Sequence, residues 1–177
     1  MNNNWSYITA CVHSNFIEGI DRNDETRVEY YNWKNSLKKR GIPPSKYIHN
    51  NILKFSSDNK KKSFVLRHND FPYDFADNVS HFVIWANPKI WSIKNKKNST
   101  NNGNHEAGVK SMLVSSIEYL VEKMSQASHG KPFDENPQIL VFENPTHKKS
   151  VRSIPHFHVL IRNGDVDKIT SLDWYVD

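Results

Sequence analysis

The segment Ser153-Ile154-Pro155-His156-Phe157-His158-Val159-Leu160-Ile161-Arg162 sets two histidines, one residue apart, in a mostly apolar run. Phe157, Val159 and Ile161 alternate with His156, His158 and Leu160, which is the period of a β-strand. Side chains alternate faces along a strand, so both imidazoles point the same way, about two residue rises apart. A run this apolar buries both rings unless that face opens onto a cleft. Two readings follow. The rings are a pair of buried, hydrogen-bonded core histidines, or they form a site. An imidazole buried without partners is costly, so a strand does not acquire two of them cheaply.

Outward from this strand, Gln138 to Phe142 and His81 to Ala86 read as strands that end at Glu143-Asn144-Pro145 and Asn87-Pro88. Phe64-Val65-Leu66 is a shorter apolar run with strand character. Between these two lies Asn69-Asp70-Phe71-Pro72-Tyr73-Asp74-Phe75, a turn-rich segment that reads as an aromatic-anchored surface loop. Three helices are expected before residue 56. The first carries Trp5, Ile8, Val12 and Phe16 at helical spacing, with Asn4 as its cap and Cys11 packed inside. The second runs from about Asp24 to Lys39, with Val28, Tyr30, Tyr31, Trp33 and Leu37 as its apolar side, and Trp33→Ala is expected to be strongly destabilising if the indole is fully buried, near-native stability instead marking a surface aromatic. Gly41 ends it. The third opens at Pro44 and runs through Tyr47, Ile48, Ile52 and Leu53. Val109 to Met124 is the best amphipathic helix of the chain. Residues Lys94 to Asn104 have no periodicity and read as a mobile insertion. The tail reads as a short helix packed on the sheet, with Trp174-Tyr175-Val176 as its apolar end. The order predicts an α+β fold: an N-terminal helical layer on a mainly antiparallel sheet, with one long covering helix.

The chain has 177 residues, which suggests a single domain over 1–177. Five Trp, seven Tyr and nine Phe supply core bulk although only 37% of residues are hydrophobic. The formal net charge is +5, which permits attraction to phosphates. The lysines cluster at 60–62, 94–97 and 148–149, and read as solvated loops rather than a nucleic-acid surface. One cysteine excludes an internal disulfide and fits a reducing compartment. No run approaches membrane-spanning length, and Met1-Asn2-Asn3-Asn4-Trp5 has no secretory character. The expected setting is the cytoplasm, with the nucleus as the other compartment. Neither a cofactor nor an oligomeric state can be named from the sequence.

The histidine strand admits three chemistries. In the first, His156, His158 and His81, with the basic loop His147, Lys148, Lys149 and Arg152, offer positive charge and donors to a phosphorylated small molecule, a nucleotide or nucleotide sugar. Ser153-Ile154-Pro155-His156-Phe157-His158 resembles the last strand of the histidine-triad superfamily, although Leu160 stands where a third His is expected. The His81-led strand and Asn144 also resemble landmarks of that superfamily. The resemblance implies His158 as a nucleophile forming a phospho-histidine and His156 as a phosphate-binding or proton-handling neighbour. The second reading is a metal-dependent enzyme, with His81, His147 or Glu143 completing a shell around the pair. His-hydrophobic-His nucleases carry a similar strand but need a downstream tyrosine and lysine on a helix; Tyr175 is the lone downstream tyrosine, and no Lys follows it. The third reading is a non-enzymatic sensing or partner-binding domain that uses the aromatics of residues 70–75.

Over residues 5 to 162 the chain is similar to a largely fungal family of uncharacterised proteins named for an N-acetylglucosamine-induced protein. The matching pieces include Arg22, Tyr31-x-Trp33-Lys34, Asn69-Asp70-Phe71-Pro72-Tyr73, His81-x-x-x-Trp85, Asn87-Pro88, Glu143-Asn144-Pro145 and Ser153-Ile154-Pro155-His156-Phe157-His158-Val159. The resemblance implies a link to amino-sugar response or UDP-N-acetylglucosamine metabolism. It gathers Asp70, Tyr73, His81, Trp85, Glu143, Asn144, Arg152, His156 and His158 into one expected cleft.

Overall fold

The computed structural model describes residues 4–53, 62–88, 119, 138–163 and 173–175. Helix α1 (Trp5–His13) starts where Asn4 accepts the Tyr7 amide on its side chain, and it buries Ile8 and Cys11. A 3-10 turn over Ile17–Gly19 follows. Phe16 falls between the two and is exposed, so the apolar stripe of α1 stops short of it. Helix α2 (Asp24–Lys39) is capped by Asn23, which accepts the Thr26 amide, and has Asp24 and Glu25 in its first turn. Gly41, at a φ of 66°, takes the left-handed conformation that ends it. Helix α3 (Pro44–Ile48) opens on its proline and passes into a π-helical turn, His49–Leu53.

Among the described residues, five antiparallel strands follow in the spatial order β3-β4-β2-β1-β5. They are β1 (Lys62–His68), β2 (Val79–Ala86), β3 (Gln138–Phe142), β4 (His156–Arg162) and β5 (Asp173–Tyr175). The fold is α+β. The tail is not a helix at residues 173–175: this stretch pairs with β1 as an edge strand. The expected helix at 109–124 lies outside the described residues except for Tyr119, which is helical. The expected insertion at 94–104 also lies outside them.

The sheet is buried on both faces. Phe64, Leu66, Phe82, Ile84, Val159 and Ile161 make one core cluster. The opposite face carries Val65, Val83, Trp85, Phe142 and Leu160, against which α1, the 3-10 turn, α3 and the π-turn pack. Register puts His156, His158 and Leu160 on that second face, opposite Trp85, Val83 and His81. The strand with two histidines is therefore central in the sheet, and its histidine face is the one covered by the N-terminal helices.

Candidate functional site

His81 pairs across the ladder with Leu160, and His158 with Val83. The two histidines are thus diagonal neighbours on adjacent strands, a separation that ring side chains can span. Their rings meet: His81 Nε2 lies 2.8 Å from His158 Nδ1. The β1–β2 connection folds back over this pair. Asn69 accepts the Phe71 amide on its side chain, which tightens the turn, and Tyr73 is carried inward until it is buried. Its backbone N–H donates to His81 Nδ1 at 3.1 Å. The Tyr73 ring stacks on His158 (centroids 5.3 Å apart), and Phe142 stacks on the same imidazole at 5.0 Å.

One backbone amide sets the protonation of the whole chain of groups. An amide N–H can only donate, so His81 Nδ1 must be unprotonated. Its single proton sits on Nε2 and is donated to His158 Nδ1, which places the proton of His158 on Nε2. That nitrogen lies 2.9 Å from the Asn144 amide, which also lies 2.7 Å from Tyr73 Oη. With the amide nitrogen turned to both contacts, a donor faces a donor, and Oδ1 is buried without a partner. The half-turned amide removes the conflict. Its oxygen accepts from His158 Nε2–H and from the Tyr73 hydroxyl, and the amide NH2 takes the place that Oδ1 held without a partner.

His156 stands apart from this chain. Its Nδ1–H donates to the Ile154 carbonyl at 2.8 Å, and its ring stacks on Trp85 at 4.7 Å. That bond fixes Nε2 as a lone-pair acceptor, and it has no hydrogen-bond partner among the described residues.

The charge state differs from what the sequence suggests. Burial pushes His81 down to about 3, with the Arg22 and His68 charges adding to the effect. Burial also holds His158 well below its ordinary value, helped by the neighbouring His81 and His156. His156 is lowered too, chiefly by burial, against the opposing pull of the Ile154 carbonyl. All three imidazoles are neutral near pH 7, so the positive charge expected of them is absent. Burial raises the Tyr73 hydroxyl, which stays protonated as the network requires.

The site opens on a cleft of about 600 Å³ bounded by α2, the 69–73 loop, the loop between β3 and β4, and the histidine face. That volume suits a ligand of nucleotide size. Of the residues singled out in the sequence, Asp70, Tyr73, Trp85, Asn144, Arg152, His156 and His158 line it. Two do not. His81 lies behind Tyr73 and His158, and Glu143 forms an ion pair with Lys149 at the margin. Trp33, expected as buried core, is only half-buried and lines the cleft with Tyr30 and Tyr31.

Arg22 was legible only as part of a matching string, and it proves to be the best-placed cation. Its Nε–H donates to the Phe71 carbonyl at 3.0 Å, and its guanidinium lies 4.3 Å from the Tyr30 ring centre and 5.0 Å from that of Tyr73. Its Nη groups make no hydrogen bond among the described residues. Lys148 is occupied, donating to the Ile17 and Ile20 carbonyls at 3.0 and 3.1 Å. Lys149 is taken by Glu143. Among the described residues, no group of three or more His, Cys, Asp or Glu side chains converges in a way that could hold a metal ion. No helix among them is long and apolar enough to cross a membrane.

Known proteins resemble this chain in fold and in sequence. The crystal structure of HTC1 superposes with a TM-score of 0.70 at 20% identity, covering 98% of this chain and 99% of that one, which establishes the shared fold. The N-acetylglucosamine-induced protein 1 of Candida albicans is 25% identical over 195 residues, spanning 94% of this chain and 72% of the relative. Every part of the site described above lies within residues 4–162, the span matched by the family described as "Protein of unknown function (DUF3605)", and the chain belongs to that family.

Proposed function

We propose that this chain binds a phosphorylated small molecule in the histidine-floored cleft, a nucleotide or nucleotide sugar of the UDP-N-acetylglucosamine kind. The observation that carries the reading is the composition of the cleft wall. Arg22, Lys34 and Arg152 bring cations that are not engaged with a carboxylate among the described residues, beside the aromatic faces of Tyr30, Tyr31 and Trp33. Arginine and lysine beside flat aromatic rings suit a ligand that joins a phosphate to a planar base or a sugar. The relative named for induction by N-acetylglucosamine supports the choice of sugar.

Binding has more support than chemistry through His158. Both of its ring nitrogens are engaged, one by His81 and one by Asn144, so attack on phosphorus through Nε2 would require Asn144 to leave and the Nε2 proton to be lost. A metal-dependent reading has less support still, because His81 and His158 bond to each other rather than converging on a common point. Calorimetric titration of the full chain with UDP-N-acetylglucosamine, UDP and free N-acetylglucosamine tests the proposal. Binding of both UDP compounds is expected, with free sugar weaker by an order of magnitude or more, roughly the cost of losing a charge-assisted hydrogen bond. Failure of every phosphorylated compound to bind would end the proposal.

A further inference from the structure

We infer that the cleft fixes the direction in which its ligand lies: the phosphate end rests against Arg22, and His156 Nε2 receives a hydroxyl or amide N–H from the uncharged end. This rests on the phosphate-ligand reading above and adds an orientation to it.

The argument is one of donors and acceptors. A phosphate ester near pH 7 presents acceptor oxygens and negative charge. Arg22 presents only donors and positive charge. Its Nε is held by the Phe71 carbonyl, its guanidinium lies over the Tyr30 and Tyr73 rings, and its Nη edge is left for a bidentate contact. The guanidinium is thus restrained before any ligand arrives, which lowers the entropy lost on binding.

His156 has the opposite character. Its Nδ1–H is committed to the Ile154 carbonyl, and the flat contact with Trp85 holds the ring, so the one nitrogen left to the cleft is a lone-pair acceptor. A phosphate oxygen set against it would put acceptor against acceptor. Adding a proton to Nε2 would reverse that, but burial opposes protonation and outweighs the Ile154 carbonyl and the Glu143 charge that favour it, while Lys149 also disfavours it. His158, the other cleft imidazole, has no free nitrogen to offer. The histidine floor therefore disfavours phosphate and selects a neutral donor, such as a sugar hydroxyl or an acetamido N–H. This reverses the assignment of phosphate to the His-x-His pair that the sequence suggests.

The test is calorimetric titration of the full chain with two probes, inorganic pyrophosphate and UDP-N-acetylglucosamine. Three kinds of variant are compared with wild type. Arg22→Met keeps the aliphatic bulk between the rings and removes the charge. Arg22→Lys keeps the charge and removes the fork. His156→Phe keeps the ring on Trp85 and removes the acceptor, and His156→Gln returns an amide oxygen near the Nε2 position should the Phe variant fold poorly. Arg22→Met is expected to weaken both probes by about tenfold or more, with Arg22→Lys between it and wild type. His156→Phe is expected to weaken UDP-N-acetylglucosamine by about tenfold while leaving pyrophosphate within about twofold, and His156→Gln to recover part of that loss. If His156→Phe weakens pyrophosphate as much as the nucleotide sugar, or Arg22→Met changes neither probe, the orientation is overturned while the ligand reading stands. If the wild-type chain binds neither probe, both fall together.

Discussion

Replacing His81 by Phe removes, in one step, the donor to His158 Nδ1 and the acceptor of the Tyr73 amide. A buried polar group left without its partner costs roughly 1–3 kcal/mol, more than the bond itself contributes in net stability. His81→Phe and His158→Phe should therefore each destabilise the fold by about that much, as read from urea unfolding midpoints. The double variant should cost less than the sum of the two by at least about 0.5 kcal/mol, because the second change removes the group that the first left stranded. Strict additivity would mean that the ring-to-ring bond carries no stability. The two histidines of β4 could be read from sequence as sharing a face, since strand alternation requires it. Their difference in role could not. Whether an imidazole nitrogen is free depends on the Ile154 carbonyl for His156, and on His81 and Asn144 for His158. These partners lie from 2 to 77 residues away.

At the scale of the element, α2 shows which signals are local enough to read. Its first and last residues agree with expectation; Gly41, read from sequence, lies within a turn of the end it defines, and Asn23, which the structure shows capping the start, is equally local. Asn23→Ala should lower stability by about 1 kcal/mol in thermal or urea unfolding, the usual worth of an N-cap side chain. The direction in which the aromatic side faces was not legible. Val28 is 58% exposed and Tyr31 55%, and only Leu37 on this helix is buried. An aromatic stripe packs equally well against a core or along a cleft, and hydropathy alone does not separate the two. Trp33 touches Tyr30, Tyr47 and Phe71 and is only half-buried. Trp33→Ala should therefore cost roughly 1–3 kcal/mol, below the figure for a fully buried indole. Lys148 joins two elements that no local pattern connects, tying the β3–β4 loop to the Ile17 and Ile20 carbonyls at the 3-10 turn that follows α1. Lys148→Met should cost about 1.5–3 kcal/mol, the range for hydrogen bonds from a charged donor. An unchanged unfolding midpoint would show that solvent satisfies those carbonyls equally well.

For the molecule as a whole, the buried neutral histidines set how stability responds to acid. The folded-state values of His81, His156 and His158 all lie below the ordinary 6.5, and that of His81 is about 3. Between those limits the unfolded chain binds more protons than the folded one, so stability rises with pH across the window and falls as acid is added. The loss should begin as pH drops below about 6.5 and approach roughly 1.4 kcal/mol per pH unit for each histidine that stays neutral. Urea unfolding at pH 7 and pH 5 measures it, and equal midpoints would contradict the neutral assignment. Strands β2 and β3 were legible because hydrophobic runs ending in Asn-Pro mark them, and β4 by its alternation, whereas β5, read as part of a helical tail, was not. The charge state of the sheet's polar face was not legible either, since burial by α1, the 3-10 turn and the 69–73 loop decides it. The Tyr73 N–H is bonded to an imidazole rather than to a strand neighbour, and that imidazole leans on another contributed from far along the chain. Its exchange with deuterium can slow only when hairpin, central strand and Asn144 loop are all in place. A single backbone proton thus serves as a spectroscopic gauge of the assembled site, readable in any variant before a ligand is in hand.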